Sequence, residues 1–466
     1  MTTTYLTTTI PYVNAAPHLG FALEAVQADA LARLRRRRGE DVRLLTGTDD
    51  NSLKNVLAAE AAGQDVQAFV DANAAKFEKL RTPLNLSYDD FIRTSTDPRH
   101  KRGVEALWRA CRHDFYRARY EGLYCVGCEH YVTDGACPEH PEPPQRLAED
   151  NWFFRLSKYQ GQLHDAIASG VLNIEPEARR NEALAFVAGG LRDLSISRSR
   201  SRARGWGIPV PDDPDQVIYV WWDALGNYVT SLNYPDGPDF QRWWVGADQR
   251  IHLVGKGVVR FHAVYWPAIL LSAGLPLPTD ILVHDYLTVD GQKISKSART
   301  SVDPVALAGT YGTDALRWWL LRDVPRVGDA DFTVERLIAR HDADLAGGVG
   351  NLVNRVVTLV HKYGLPPEPA ETVEALDATP TAVLKRVEEA NRYIEQTRPW
   401  DGRPGPALAN LLRACQVIGQ ALEPLVPELA ARVREQCTPV NGALPPVQPV
   451  APRLAARPWS GRPGRP

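Results

Sequence analysis

The chain has 466 residues, 54 Lys+Arg against 56 Asp+Glu and a formal net charge of −2, so it is long enough for several domains and carries no global charge that announces a nucleic-acid or membrane partner. Any such surface must be a local patch. Six cysteines are too few for a disulfide scaffold, the start lacks the basic flank and apolar run of a secretory signal, and no segment reaches about 18 uninterrupted apolar residues, which points to a cytoplasmic chain that spans no membrane.

In chain order, "TTTYLTTTI" and "DVRLLTG" (41–47) read as strands, and between them Leu19, Leu23, Val26, Ala30 and Leu34 mark one face of a helix, giving a βαβ unit. The first turn, "IPYVNAAPHLGF", places His18 at a helix N-terminus, where free N–H groups and the helix dipole favour anions. A loop-rich insertion follows at residues 118–185. "VIYVWWDAL", "RIHLVG" and "DILVHDYLTV" then read as apolar strands separated by helix-like stretches. From 333 the pattern is one of amphipathic helices, with Pro366–Pro380 as a linker and a last helix ending near Cys437. The Pro- and Arg-rich tail at 441–466 reads as disordered.

Three stretches carry chemistry. Only ten of the basic residues are lysines, and Lys256, Lys293 and Lys296 fall within two short motifs. In "DGQKISKSART" two ammonium groups three residues apart, with hydroxyls beside them, suit the charge of a polyphosphate leaving group, although an exposed basic turn reads the same way. In "GLYCVGCEHYVTDGACPEHP", Cys125, Cys128, Cys137 and His140 form two knuckle spacings, a tetrahedral set for one structural zinc with no slot left for water. In "GNLVNRVVTLV", Leu345, Val349, Leu352 and Val356 form a buried stripe, with Asn351 and Arg355 as i,i+4 neighbours off it. An amide beside a guanidinium can read base edges and phosphate, and Trp400 offers a stacking face. A solvated helix face and a packing tryptophan explain the same residues equally well.

"IPYVNAAPHLG", "LTGTD", "GLYCVGCE", "NWFFRLSKYQ", "WGIPVP", "YVWWDA", "VGK…FH…YWPA", "KISKS", "GNLVNR" and "EQTRPW" occur in the order of the methionyl-tRNA synthetases, a family of class I aminoacyl-tRNA synthetases that the chain resembles over residues 5 to 437. The resemblance implies a Rossmann-type parallel sheet catalytic domain in two halves (1–117 and 186–332), a zinc-knuckle connective insertion (118–185) and an all-α anticodon-binding bundle (333–440). It further implies a monomeric methionine–tRNA ligase that uses ATP with Mg²⁺ and charges tRNA(Met). His18 and Gly20 would hold ATP, with Lys256 near the same nucleotide and Lys293 and Lys296 on the departing pyrophosphate. Asp49 and the backbone of Ile10 would take the amino group of methionine, and Arg198 would pair with Asp49. Tyr12, Trp221, Ala224, Leu225, Tyr228, Val258 and His262 would line its side-chain pocket, and Asn351, Arg355 and Trp400 would read the anticodon.

The chain departs from the family at Phe21, where a second His is usual, at Asp50-Asn51-Ser52 in place of Glu-His-Gly, at Gly257 in place of Asp, and at Leu225-Gly226-Asn227 in place of Pro-Ile-Gly. Two alternatives follow: a paralogue that adenylates another amino acid or serves another acceptor, and a non-catalytic tRNA-binding protein. A dehydrogenase-type Rossmann protein is disfavoured, because no Gly-x-Gly-x-x-Gly follows the first strand.

Overall fold

The computed structural model describes residues 1–125, 130–132, 143–294, 302–364, 376–401 and 405–454, with backbone alone at 130–132 and 293. The chain divides into two compact units, Met1–Pro17 with Gly39–Lys79 and Tyr88–Asp285, and His18–Arg38 with Leu80–Ser87 and Tyr286–Pro466.

The strands of the first unit are β1 (Thr3–Thr8), β2 (Asp41–Thr48), β3 (Asp90–Arg93), β4 (Phe115–Cys125), β5 (His130–Val132), β6 (Gln145–Phe154), β7 (Asn173–Glu175), β8 (Leu194–Ser195), β9 (Ser197–Ser199), β10 (Pro209–Val210), β11 (Asp213–Ile218), β12 (Gln249–Gly255) and β13 (Asp280–His284). Those of the second are β14 (Leu287–Val289), β15 (Gln292–Lys293) and β16 (Ala330–Asp331). Helix α1 (Leu19–Arg37) belongs to the second unit. The first holds α2 (Leu53–Ala61), α3 (Val66–Glu78), α4 (Pro98–Ala110), α5 (Gln160–Ala168), α6 (Glu177–Ala188), α7 (Val220–Thr230), α8 (Pro238–Phe240) and α9 (Trp266–Ala273). The second continues with α10 (Pro304–Tyr311), α11 (Thr313–Arg322), α12 (Val334–Arg340), α13 (Asn351–Tyr363), α14 (Pro380–Thr397), α15 (Gly405–Leu422) and α16 (Pro427–Gln436).

The first unit is built on a six-stranded parallel sheet in the order β3-β2-β1-β12-β13-β7. The order runs outward from β1 on one side and from β12 on the other, which makes the β1–β12 boundary the crevice where open α/β sheets bind ligands, beyond the carboxyl ends of the strands. β1 is rich in threonine, a good strand former whose hydroxyl must find a partner when buried. Thr7 Oγ1 lies 2.6 Å from His252 Nδ1 on β12, and Thr8 Oγ1 donates to Thr46 Oγ1 on β2 at 2.8 Å. In β2, Gly47 is obligatory: a Cβ there would lie 2.1 Å from the carbonyl oxygen of Ile92 on β3.

Three sequence expectations are corrected in this unit. "VIYVWWDAL" is not one strand: β11 ends at Ile218 and helix α7 starts at Val220. A short apolar run has the same hydrophobicity in either conformation, and what decides here is the recurrence of Trp221, Ala224, Leu225 and Tyr228 at helical intervals. "DILVHDYLTV" splits into β13 and β14, which belong to different sheets. The four-stranded antiparallel sheet β5-β4-β6-β8 overruns both ends of the insertion expected at 118–185, starting at Phe115 and ending at Ser195, and inside that span β7 already returns to the main sheet by pairing with β13. At three residues, β7 is too short to leave a periodic signal.

The second unit is organised by one buried ion pair. Arg317 on α11 and Asp29 on α1 are both 0 % exposed and 2.8 Å apart. Asp29 also accepts from Arg33 Nε, Ser87 N and Ser87 Oγ, and the Arg317 guanidinium donates to the carbonyls of Leu84, Asn85, Pro424 and Leu425. A buried charge is tolerated when its whole hydrogen-bonding capacity is met, as it is here. This network explains why α1 and residues 80–87 pack with the C-terminal helices. The core of those helices contains Leu345, Val349, Leu352 and Val356, the stripe expected from the sequence, together with the thiols of Cys415 and Cys437.

The tail expected to be disordered from 441 is folded as far as 454. Leu444, Val450 and Ala451 are buried in the helical core, Arg432 Nε donates to the Val450 carbonyl at 2.7 Å, and Leu454 N donates to Asp342 Oδ1 at 2.9 Å. A proline-rich segment offers few N–H groups, so side chains of the bundle meet it from both sides of the bond, Arg432 and Gln436 donating to its carbonyls and Gln436 and Asp342 accepting its remaining N–H groups. Residues 455–466 lie outside the described residues, as do 366–375 of the expected linker. Among the described residues no helix is long and apolar enough to cross a membrane.

Candidate active site

At the β1–β12 boundary a cavity of about 200 Å³ is lined by Thr9, Ile10, Pro11 and Tyr12 after β1, by Asp49 after β2, by Trp221, Ala224, Leu225 and Tyr228 of α7, and by Val258 and His262 after β12. Nine of the ten residues expected around methionine are therefore brought together. Arg198, the tenth, is not among the lining residues; its guanidinium donates to Ser195 and Ser197 and lies over the rings of Tyr124 and Tyr219.

The cavity wall is apolar except at defined points. Asp49 is 2 % exposed, and its backbone is fixed by Asp49 N donating to the Pro11 carbonyl at 2.9 Å and by Asn55 Nδ2 donating to its own carbonyl at 3.0 Å. Its Oδ1 accepts from Asn51 N at 3.2 Å. On the far wall His262 Nδ1 lies 2.9 Å from the Val258 carbonyl, which can only accept, so the ring hydrogen sits on Nδ1 and Nε2 accepts from the Tyr228 hydroxyl at 2.7 Å. Behind Tyr228, His252 is fully buried and its pKa is driven well below the usual imidazole value by burial, which keeps it neutral. Trp266 Nε1 donates to His252 Nε2 at 3.1 Å, locking the rings that back the cavity. The arrangement can accept a slim apolar chain, with the Asp49 carboxylate placed to take a cationic group.

Sequence reasoning missed two lining residues, Thr9 and Pro11, and one supporting ring, Phe261, which stacks on Trp221 with centroids 3.6 Å apart. The "RFH" triplet, with His262 already singled out, was the available signal for Phe261.

The nucleotide-side residues fall elsewhere. His18 caps α1, its Nδ1 accepting from Gly20 N at 3.1 Å, which places the ring hydrogen on Nε2. Leu19 N donates at 2.9 Å to the carbonyl of Val302, the first described residue after the lysine loop, so the capping turn and the base of that loop are joined. Phe21 lies in the first turn of α1, partly buried. Lys256 opens a short turn after β12. The side chain of Lys293 and the whole of Lys296 lie outside the described residues, as do Cys128, Cys137 and His140. Cys125 is buried at the end of β4, opposite the start of β5 in the hairpin register.

On the helical bundle Asn351 is exposed at the start of α13, and Trp400 is 44 % exposed after α14. Arg355 is not free on its face: it donates to Asn391 Oδ1 and Glu395 Oε1 of α14, each at 3.0 Å.

The family profile described as "tRNA synthetases class I (M)" matches residues 4–147 and 140–357. The chain is 39% identical over 473 residues to the methionine–tRNA ligase of Thermotoga maritima, covering 92% of this chain and 74% of that one. To the methionine–tRNA ligase of Mycobacterium bovis it is 39% identical over 477 residues, with 92% and 91% covered. It is also similar to the structure of Mycobacterium tuberculosis methionyl-tRNA synthetase in complex with methionyl-adenylate, with a TM-score of 0.88, 37% identity and 97% and 100% of the two chains covered.

Proposed function

Because this chain belongs to the class I tRNA synthetases of the (M) family, we propose that it activates methionine with ATP and transfers the methionyl group to the 3′ end of tRNA(Met). The observation that carries the amino-acid assignment is the cavity: an apolar, aromatic slot closed by imidazole and phenol groups, with a single carboxylate, Asp49, at its edge. A thioether offers little to hydrogen-bond, so shape and aromatic–sulfur contact from Trp221, Tyr228 and Tyr12 must select it.

No enzyme nucleophile is needed. The carboxylate of methionine attacks the α-phosphorus of ATP in line, pyrophosphate leaves, and a terminal ribose hydroxyl of tRNA then takes the methionyl group from the adenylate. His18, through Nε2–H, serves the nucleotide, and Lys293 and Lys296 of the lysine loop stabilise the charge that develops on pyrophosphate. Mg²⁺ bound with the nucleotide neutralises part of the triphosphate charge. The bond between Leu19 and Val302 supports treating His18 and this loop as parts of one ATP site. Phe21 removes one phosphate donor, and Lys256 adds charge near the nucleotide. The chain is proposed to act as a cytoplasmic monomer.

Cys125, Cys128, Cys137 and His140 are proposed to hold one structural zinc, three thiolates and an imidazole being a closed tetrahedral set. Metal analysis of gently purified protein should return one equivalent of zinc; well under one would remove the assignment.

Asn351, Arg355 and Trp400 are proposed to contact the anticodon, with Trp400 as an exposed stacking face worth about 1–3 kcal/mol. Methionine-dependent ATP–pyrophosphate exchange tests the reaction directly: exchange with methionine supports the reading, and exchange only with a different amino acid replaces it. Trp400→Ala should leave that exchange within about twofold of the parent and cut tRNA charging by about tenfold. Equal losses in the two assays would show that Trp400 packs rather than reads.

A further inference from the structure

A second polar network lies behind the cavity, on the face of α7 turned away from it. Trp221, Ala224, Leu225 and Tyr228 point into the cavity, whereas Asp223 and Thr230 fall about half a helical turn round. Asp223 is 1 % exposed and both its oxygens are used: Oδ1 by His100 Nε2, and Oδ2 by Asn51 Nδ2 at 2.7 Å. His100 is 0 % exposed, and its Nδ1 meets Thr230 Oγ1 at 2.8 Å. Asn51 also donates from Nδ2 to the Thr94 carbonyl at 3.2 Å, while its backbone N–H donates to Asp49 Oδ1. The order of groups, carboxylate, imidazole, hydroxyl, is that of a nucleophilic triad. With His100 and Thr230 at 0 % exposure and Asp223 at 1 %, no substrate reaches it, and what remains is a positioning role.

We propose that Asn51 and Asp223 are positioning residues for amino-acid recognition. Asn51 ties the carboxylate that takes the ammonium, Asp49, to the back of the helix that forms the side-chain slot, so the two halves of the amino-acid site are held at one spacing. His100 and Thr230 hold the Asp223 carboxylate in the orientation that Asn51 needs. The proposal rests on the assignment of Asp49 to the ammonium of methionine. It also gives a specific role to Asn51, one of the family departures, since a compact side-chain amide satisfies Asp223 and Thr94 with its two hydrogens while its backbone serves Asp49.

The test compares two ligands with the full-length protein: L-methioninol, which carries the ammonium, and 4-(methylthio)-1-butanol, which is the same molecule without it. In Asn51→Ala the dissociation constant for methioninol should rise by about tenfold and that for the amino-free alcohol by less than about twofold. The KM for methionine in exchange should rise by a similar factor, with kcat changed less than about threefold. Asn51→Asp, which sets a third carboxylate against Asp49 and Asp223, should exceed Asn51→Ala in the same direction. Equal weakening of both ligands, or an unchanged KM in Asn51→Ala, overturns the proposal. A parent protein with no methionine-dependent exchange is a separate result, one that removes the functional reading itself.

Discussion

Asp49→Asn should lower kcat/KM for methionine in pyrophosphate exchange by about two to three orders of magnitude, the largest catalytic effect expected of a single change in this cavity. The side chain keeps its size and its place, because Pro11, Asn55 and Asn51 hold the backbone and Oδ1 regardless of charge. What is lost is the negative charge facing an ammonium in a site that is 2 % exposed. Removing one partner of such a desolvated pair costs about 3–5 kcal/mol, since the ammonium must then be buried without a counter-charge. The loss should lie in KM and kcat/KM for methionine, with the KM for ATP within about threefold of the parent. A variant within about fivefold of the parent in kcat/KM would show that the ammonium is bound elsewhere and that Asp49 is structural only.

The second large effect is on stability. Arg317→Met should destabilise the second unit by about 3–5 kcal/mol, lowering its thermal midpoint by on the order of 10 °C. Methionine fills much of the volume but leaves Asp29 with a buried charge, and it leaves the carbonyls of Leu84, Asn85, Pro424 and Leu425 short of a donor. Arg317→Lys should recover little, because one ammonium cannot span four carbonyls and a carboxylate that a planar fork reaches together. A thermal midpoint within about 2–3 °C of the parent for Arg317→Met would mean that water or a rearranged Arg33 satisfies Asp29, and that the pair is not what organises this unit.

Much of the site was legible because it lies in short contiguous motifs. Ile10 and Tyr12 sit in one, after β1, and Val258 and His262 in another, after β12, both at the ends of parallel strands, where an α/β sheet binds its ligand, while Trp221 to Tyr228 form a third, on α7. Local pattern also gave β1, β2, β12, α1 and the apolar stripe that runs from Leu345 into α13. The network behind α7 was not legible: Asn51 is 172 residues from Asp223 and His100 is 123 from it, and nothing in the neighbourhood of either announces the pairing. Arg317 reads from sequence as one more arginine in a helix, and only the fold shows that Asp29 waits for it. The tail failed for a different reason. Averaged over 441–466 its composition is that of a disordered segment, but folding depends on three residues, Leu444, Val450 and Ala451, reaching an apolar surface that the rest of the chain provides.

The threonines of β1 decide more than local stability. A parallel strand made only of Val and Ile could slide along its neighbours by two residues and still present the same face, so hydrophobicity alone separates such alternatives weakly. Thr7 matched to His252 and Thr8 matched to Thr46 remove that freedom, because a shift by two would strand the hydroxyls and an imidazole in the interior at a cost of a few kcal/mol. Since Ile10, Pro11 and Tyr12 continue directly from β1, and Asp49 directly from β2, these buried bonds fix where each wall of the cavity begins. They act as index marks: the depth of the amino-acid slot is counted in whole residues from them, so an insertion or deletion in β1 would change which side chain the slot accepts.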